Sequence, residues 1–289
     1  MEEVRPDLMV DAAISRGEAA SQTLFHFIEP LWAFRYLLWS LVVRDLKVRY
    51  RRSVLGFGWA LLNPILMTAI FSIVFTVFFR PPETAVPFPL FFLTGVLAWN
   101  LCTTSLVTAL RSITDNATIV TKIYFPRSVL SISAVLASTI HFALGVAVLI
   151  PVTFFFGVRP SVALLLLPII LVAQILFLCG VGLVLSAVNV FFRDAQPIFD
   201  VLLQAWFFAT PIVYDLRQVP PSSNAAGFAG LVDMINPMAP IVTQYRMVLL
   251  EATAPEPLYM ARTLLVGLVV FLLGATFFER WAGRLGDEL

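Results

Sequence analysis

The segment RDLKVRYRRSVLGFGWALLNP, residues 44–64, decides the fold because a dense basic cluster in it passes without a break into a long apolar run. Lys and Arg side chains are costly to place in hydrocarbon, whereas the uncharged residues after Arg52 suit a lipid-facing helix. A water-facing segment therefore meets a membrane span within this stretch.

The composition extends this interpretation to the whole chain. Hydrophobic residues make up 60% of the sequence and charged residues 13%, and the mean hydropathy is +0.91, whereas an average soluble domain has roughly 25% charged residues. Four uncharged runs each exceed the ~20 residues that cross a hydrocarbon core as helix. They are residues 53–79, 84–110, 128–158 and 160–192. Two weaker candidates, 195–214 and 257–278, are interrupted by Asp200 and Arg262. The sequence thus predicts an all-α integral membrane protein with six transmembrane helices.

The distribution of Lys and Arg predicts the orientation. With both termini in the cytoplasm, 14 of the 19 Lys and Arg residues lie in inside segments, as the positive-inside rule requires. The predicted domains are a cytoplasmic tail (1–29), an interface helix (30–52), a six-span domain (53–280) and a cytoplasmic C-terminus (281–289). The net charge of +1 gives no electrostatic reason to expect nucleic acid as a partner.

The interface helix is predicted from an aromatic stripe. Trp32, Tyr36, Trp39 and Val43 recur at spacings of three and four residues, so they share one helical face. Most of the basic residues of 44–52 point away from this face. An aromatic stripe opposite basic residues is typical of an amphipathic helix that lies in the membrane interface.

The inside loop RSITDNATIVTKIYFPR, residues 111–127, reads as a short helix with its own apolar surface. Asp115 and Asn116 are predicted N-caps, and Ile119, Ile123 and Tyr124 supply the apolar face. An apolar face on so short a loop needs a partner to pack against, and a partner protein is favoured over lipid headgroups.

On the opposite side, residues 228–252 are apolar but broken by Asp233, Asn236, Pro237, Pro240 and Arg246. Two short outer helices, re-entrant if their backbone faces protein or water, satisfy these breaks better than a seventh span does. This region is the candidate outer gate.

Several kinds of chemistry are not supported by the sequence. Lys47 and Lys122 are the only lysines and neither follows glycine, so a phosphate-cradling P-loop is excluded. Ion-coupled transport is disfavoured because the four longest runs contain no Asp, Glu, Lys or Arg. The alternative function from another class is a membrane-embedded transferase, which would need paired carboxylates to hold a metal ion. Such a pair is not apparent, since Asp45, Asp115 and Asp194 are scattered singly along the sequence. A structural anchor subunit is a further alternative.

A set of segments resembles a known family. The segment 44–66 (RDLKVRYRRSVLGFGWALLNPIL) is similar to the start of the first span in ABC-2 type permeases of polysaccharide exporters, the Wzm-like family that handles O-antigen, teichoic acid and related lipid-linked glycans. Four later segments agree in order: NATIVTKIYFP (116–126), NVFFRD (189–194), TPIVY (210–214) and NPMAPIVTQYR (236–246). The resemblance covers residue 30 to the C-terminus.

The resemblance implies a subunit of an ATP-driven exporter in the bacterial inner membrane. It implies a homodimer that binds two separate P-loop ATPase subunits, which hold ATP and Mg, while this chain itself carries no cofactor and no catalytic residue. The residues predicted to couple to the ATPase are Arg44, Lys47, Arg51, Thr118, Ile119, Lys122, Ile123 and Tyr124. The outer gate would include Asn236, Pro237 and Arg246. A permease for a small lipid or drug is the nearer alternative within the same fold.

A glycan needs a wide, partly aromatic pathway, because sugar rings pack on aromatic faces. The candidate channel-lining residues are Trp59, Phe71, Phe92, Trp99, Phe207 and Tyr214. A lipid-linked pyrophosphate would enter near Arg49 and Arg52, for which headgroup anchoring is the alternative explanation.

Overall fold

The structure is a computed structural model that describes residues 29–50, 58–74, 87–158, 161–192, 194–219, 225–286 and 288. Helices dominate these residues, and the described part of the chain contains no strand. The predicted all-α class is therefore confirmed. Residues 1–28, which include most of the predicted tail, and residues 51–57 lie outside the described residues.

Ten α-helices of six or more residues follow one another in the part of the chain that the structure describes. They are α1 (Arg35–Tyr50), α2 (Gly58–Val74), α3 (Phe88–Arg111), α4 (Ala117–Lys122), α5 (Ser128–Phe155), α6 (Leu167–Phe191), α7 (Ala195–Ala209), α8 (Ala225–Ile235), α9 (Met238–Leu249) and α10 (Pro257–Ala282). Residues 29–33 form a further helical turn before α1. Short 3₁₀ turns lie at Thr114–Asn116, Val162–Leu166, Leu216–Gln218 and Arg284–Gly286.

Four helices among the described residues are long and apolar enough to cross a membrane: Phe88–Arg111, Ser128–Phe154, Val162–Phe191 and Pro257–Ala282. Three of them correspond to predicted long runs, and the fourth corresponds to the weaker candidate at 257–278. Of the other two predicted spans, the structure describes 17 helical residues within 53–79, in α2, and 15 within 195–214, in α7.

Prolines set several of the helix boundaries. Pro257 is the first residue of α10 and Pro89 the second of α3, positions where a missing N–H costs nothing. The predicted run 195–214 is a helix only as far as Ala209, and Thr210 is extended. The ring of a proline disfavours helical backbone at the preceding residue, so Pro211 explains why α7 ends before Thr210.

Helix α3 lies at the centre of the bundle. Of its most apolar 18-residue window, 72% is buried, against 33–39% for the other three candidate spans. It packs against α2, α5, α6, α7 and α9. A buried hydrogen-bond chain joins three of these helices: Gln174 of α6 donates to the carbonyl of Ala98 in α3 at 2.9 Å, and Tyr245 of α9 donates to Gln174 Oε1 at 3.0 Å.

Helices α6 and α10 are held together by small residues. A Cβ atom added at Gly267 would lie 2.5 Å from the carbonyl oxygen of Ala173, and one added at Gly274 would meet the backbone of Gly180. Gly180 in turn approaches the backbone of α10, with Phe271 Cα 2.7 Å from its hypothetical Cβ. In lipid, where the hydrophobic effect does not drive helices together, such close backbone packing is a principal source of association.

This packing yields a prediction for Gly274→Ala. The added methyl group has no space, because the obstructing atoms are backbone, so we expect the variant to lose about 1–3 kcal/mol of stability. The measurement is the thermal midpoint in detergent, followed by size-exclusion chromatography. Gly230→Ala in α8 is the matched control, since nothing lies within 4 Å of its hypothetical Cβ. Equal midpoints for the two variants would contradict the proposed packing.

Helix α1 has two different apolar faces. Leu41 and Val42 are buried, and the face that carries them packs against α5. The predicted aromatic stripe faces outward instead, with Trp32, Tyr36 and Trp39 each at least 60% exposed. The exposed aromatic face was predicted from the sequence, whereas the buried face with Leu41 and Val42 was not.

Candidate functional site

The loop 111–127, predicted to lie on the inside and called the inner loop below, places most of its predicted coupling residues on the surface. A 3₁₀ turn, Thr114–Asn116, leads into α4, and Thr118, Lys122, Ile123 and Tyr124 are all exposed. Tyr124 is 99% exposed and Ile123 61% exposed. Lys122, Ile123 and Tyr124, which we call the loop tip, therefore project from the protein.

The predicted apolar face of this loop is divided between two environments. Val120 and Phe125 are buried, and Ile119 packs against the core. The face is not continuous because α4 ends at Lys122 and Ile123 is already extended. The buried part holds the loop on the bundle, and the loop tip remains without a partner among the described residues.

A hydrogen bond joins the inner loop to α1. Arg44 Nη1 donates to Asn116 Oδ1 at 2.9 Å, and Asn116 Nδ2 donates to the carbonyl of Ser112 at 2.8 Å. Asn116 occupies the N-cap position of α4 but makes no capping hydrogen bond, because its amide is engaged elsewhere. Asp115 forms an exposed ion pair with Arg111, with 3.4 Å between Oδ2 and Nε. Asn116 is therefore the N-cap residue of α4, as predicted, but its side chain does not cap the helix, and the prediction for Asp115 is wrong.

Two further contacts tie the same loop to the ends of spans. Asn189 Nδ2, at the end of α6, donates to Thr114 Oγ1 at 3.3 Å. Arg127 donates to the carbonyl of Ala282 at the end of α10. The inner loop is thus anchored to α1, α6 and α10.

The remaining basic candidates of the interface helix are only partly described. Arg44 is held by Asp45, with 3.0 Å between Nη2 and Oδ1, and Lys47 is exposed. The side chain of Arg49, and Arg51 and Arg52 entirely, lie outside the described residues.

The aromatic candidates fall into different environments. Trp99 is 5% exposed and packs edge-on against Trp206 and Phe207, with ring centroids 5.8 and 5.7 Å apart. Phe92 is 1% exposed. Neither Phe92 nor Trp99 presents a ring to a pathway in this structure, because both rings fill the interior around α3.

The other members of that set differ from these two. Trp59 and Tyr214 are 48% and 39% exposed, and Phe207 is half-buried. The side chain of Phe71 lies outside the described residues.

Asn236 anchors the break between α8 and α9. Its Oδ1 accepts from Trp206 Nε1 at 2.8 Å and from the backbone N–H of Met238 at 3.0 Å. Its Nδ2 donates to the carbonyl of Ala209 and to Thr210 Oγ1, both at 3.0 Å. Every polar atom of this amide is paired, so Asn236 fixes the end of α7 against the start of α9.

Arg246 is buried to 1% exposure and binds backbone carbonyls instead of a carboxylate. It donates to Pro211 and Ile212, both at 2.6 Å, and more weakly to Phe91 at 3.3 Å and Tyr214 at 3.4 Å. Its Cζ lies 3.4 Å from the centroid of the Phe91 ring. We call Arg246 and these carbonyls the arginine clamp.

The arginine clamp joins elements that are distant in sequence. It fixes the bent segment 210–214 to α3 and α9. Pro237 is the N-cap residue of α9. Gly95 of α3 leaves room for the guanidinium, since an added Cβ would lie 2.7 Å from Nη2.

Charged side chains surround this region. Arg217 bridges Asp215 and Glu251, with nitrogen–oxygen distances of 2.9 and 2.5 Å, and the hydrogen bond to Glu251 raises the pKa of Arg217. Burial alone would raise the pKa of Asp215, but hydrogen bonds and the charge of Arg217 outweigh it and lower that pKa. Arg262 pairs with Asp233 at 2.6 Å. No group of three or more His, Cys, Asp or Glu residues suited to a metal ion occurs in the part of the chain that the structure describes.

Sequence reasoning missed Gly95, Thr114 and Asn189 as parts of these sites. Asn189 belongs to the segment NVFFRD and Gly95 is a small residue in an otherwise apolar span, so a signal was present in the sequence at both positions. The residues that they contact are known only from the fold.

Four helices long and apolar enough to cross a membrane define a multi-pass membrane protein. Comparison with known proteins agrees with this class. Residues 36–250 match the family model described as ABC-2 type transporter. The chain belongs to the ABC-2 type transporter family.

Curated relatives cover most of the chain. It is 33% identical over 256 residues to the O-antigen export system permease protein RfbA of Myxococcus xanthus. The aligned region covers 89% of this chain and 96% of that protein. It is 31% identical to a protein of the same name from Klebsiella pneumoniae, over 88% of this chain and 96% of the relative. It is 23% identical to the polysialic acid transport protein KpsM of Escherichia coli, over 63% of this chain and 70% of that protein.

Proposed function

We propose that this chain is the transmembrane subunit of an ATP-driven ABC exporter that moves a lipid-linked polysaccharide from the cytoplasmic to the outer side of the bacterial inner membrane. The similarity to O-antigen and polysialic acid export permeases supports the substrate class. The observation that carries the proposal is the exposed loop tip on an anchored inner loop, because an exporter without its own nucleotide site needs such a contact with an ATPase.

The proposed assembly is a homodimer of six-span subunits with two P-loop ATPases, which hold ATP and Mg, on the cytoplasmic face. Helices α2 and α7 supply the other two of the six spans. Both termini lie in the cytoplasm, and α8 and α9 lie at the outer side with Asn236, Pro237 and Arg246. The phosphate groups of a lipid carrier are proposed to bind Arg49 and Arg52, with anchoring to lipid headgroups as the alternative role of these two residues.

In the proposed mechanism, closure of the paired ATPases displaces the loop tip. The contacts of Arg44, Asn189 and Arg127 pass that displacement to α1, α6 and α10 together. At the outer side, the arginine clamp makes the end of α7 move with α3 and α9. The two subunits then separate along a common path wide enough for a glycan.

Co-purification tests the proposal most directly. When the affinity-tagged chain is expressed with its chromosomal neighbours, we expect a P-loop ATPase to elute with it, and glycan to appear at the cell surface only when both are present. A matched strain carries an inactive Walker lysine in the ATPase, which should keep the complex but stop export. A chain that purifies alone and transfers glycosyl or phosphoryl groups would contradict the proposal.

A further inference from the structure

Helices α8 and α9 differ in how firmly the protein holds them. Eleven of the twelve residues of α9 are buried, and Tyr245 and Arg246 bind groups of α3, α6 and the segment 210–214. In α8, by contrast, four large apolar side chains are exposed: Phe228, Leu231, Met234 and Ile235. The main packing of α8 is against α9 and the turn Leu216–Gln218. An element with so few buried apolar contacts opens at a low free-energy cost.

The junction between α8 and α9 lies deep in the helix bundle. The ring of Trp206 is 5.8 Å from that of Trp99 and 6.1 Å from that of Phe177. At about 1.5 Å per residue, Trp99 lies about 16 Å along α3 and Phe177 about 15 Å along α6. Asn236 accepts a hydrogen bond from Trp206 and is therefore at this depth. The two helices form a hairpin that enters the bundle and turns back at Asn236.

The backbone hydrogen bonds of this junction do not continue from one helix to the other. Pro237 has no N–H group, and the N–H of Met238 donates to Asn236 Oδ1 at 3.0 Å. The N–H of Ala239 donates to the carbonyl of Asn236 at 3.1 Å. In an unbroken helix, these three positions would bond to the carbonyls of residues 233–235. A helix end of this kind can absorb a change in backbone angles, as hinges do.

A cluster of three side chains holds α8 to the beginning of α10. Tyr259 Oη donates to Asp233 Oδ1 and Arg262 Nη2 donates to Asp233 Oδ2, both at 2.6 Å. Arg262 also donates to the backbone carbonyl of Asp233 at 3.2 Å, the carbonyl that Pro237 leaves without its helical donor. The side chains of Asp233 and Arg262 are 28% and 41% exposed. An exposed pair of this kind adds little stability, so it can be released while the buried contacts of α9 persist.

We infer that α8 is a flap on the outer side of the protein, with a hinge at Asn236 and Pro237 and with Asp233, Tyr259 and Arg262 as a latch that opens during transport. The inference rests on the proposed function and deepens it. Within the predicted outer gate, 228–252, α8 is the part that moves, and α9 stays with α3. Arg246 and Asn236 then hold the support of the flap in place.

Cross-linking in cells that carry the intact exporter provides the first test. Cys102 and Cys179 are buried and are replaced by Ala, and Asp233→Cys with Arg262→Cys places two thiols at the latch. We expect a short bifunctional methanethiosulfonate reagent to lower the rate of glycan export at least about tenfold, because a flap that stays closed blocks release of the glycan. A reductant should restore the rate in the same cells.

Arg217→Cys with Glu251→Cys is the matched control. This ion pair is similarly exposed, at 39% and 29%, but it joins the end of α9 to the chain that follows the arginine clamp. Export should be unchanged after its cross-linking. If the wild-type chain exports and the cross-linked latch exports at the same rate, or if both pairs cause equal losses, the inference alone fails. If the wild-type chain exports no glycan, the proposed function fails.

Spin labels on the purified complex with the ATPase measure the motion of α8 independently of export. Gly230→Cys in α8 and Leu258→Cys at the start of α10 are exposed positions. We expect a second, longer distance between these labels when ATP binds. Labels at Glu251→Cys and Leu258→Cys should keep a single distance, because the end of α9 does not move with α8. One unchanged distance for the first pair would overturn the inference, even where the cross-linking variants do not export.

Discussion

Arg246→Met is expected to lower the stability of the protein by about 3–5 kcal/mol, because the buried carbonyls of the arginine clamp lose their charged donor. Met preserves much of the side-chain length but donates no hydrogen bonds. The carbonyls of Pro211 and Ile212, each 2.6 Å from a guanidinium nitrogen, would be left unpaired in the interior. The measurement is the thermal midpoint of the purified permease, with its ATPase partner, in detergent.

Two related variants separate the geometry of the clamp from its charge. Arg246→Lys keeps the charge, but one ammonium group cannot span four carbonyls, so we expect an intermediate loss. Gly95→Ala keeps the arginine but places a methyl group 2.7 Å from its Nη2, so it should also destabilise.

Arg262→Met is the control for the loss of an arginine in the same part of the protein. Arg262 is 41% exposed and pairs with Asp233 at the surface, where such a pair contributes about 0–1 kcal/mol. The role assigned to Arg246 is refuted if Arg246→Met melts no earlier than Arg262→Met.

The second large effect is expected at the loop tip. Lys122→Glu combined with Ile123→Asp should abolish transport-stimulated ATP hydrolysis and export while the permease remains folded, because both side chains are exposed and support no internal packing. An apolar contact buried against the ATPase would be replaced by a desolvated carboxylate. Measurements of hydrolysis, export and size-exclusion profile together decide the outcome.

Val120→Asp is the matched variant for this test. Val120 is 6% exposed and lies three residues from Ile123, so a carboxylate there should reduce the yield of folded protein. Unchanged stimulated hydrolysis in the Lys122 and Ile123 variant would exclude the loop tip as the coupling contact.

Long uncharged runs made most of the helical architecture predictable. The spans at Phe88–Arg111, Ser128–Phe154 and Val162–Phe191 follow from length and hydropathy alone. The end of α7 at Ala209 was missed because its cause, Pro211, was read as part of a continuing apolar run. The exposed positions of Lys122, Ile123 and Tyr124 on the inner loop were also accessible from the sequence.

Side-chain environments were less predictable, because they depend on which helices become neighbours. Trp99 was expected at a pathway but packs against Trp206, more than 100 positions away in the chain. Asn116 looked like an N-cap, yet a long-range hydrogen bond from Arg44 competes for its amide. Local patterns cannot anticipate such partners, and the same limit applies to Arg246.

The anchoring of the inner loop also has a consequence for how partner recognition diversifies. Its attachment points, Arg44, Thr114, Asn116 and Asn189, are separate from the three residues of the loop tip. If the loop tip contacts the ATPase as proposed, substitutions there change which ATPase binds without disturbing the helix bundle. A chimera in which only residues 122–124 are replaced by those of a relative should bind that relative's ATPase. The rest of the permease need not be changed.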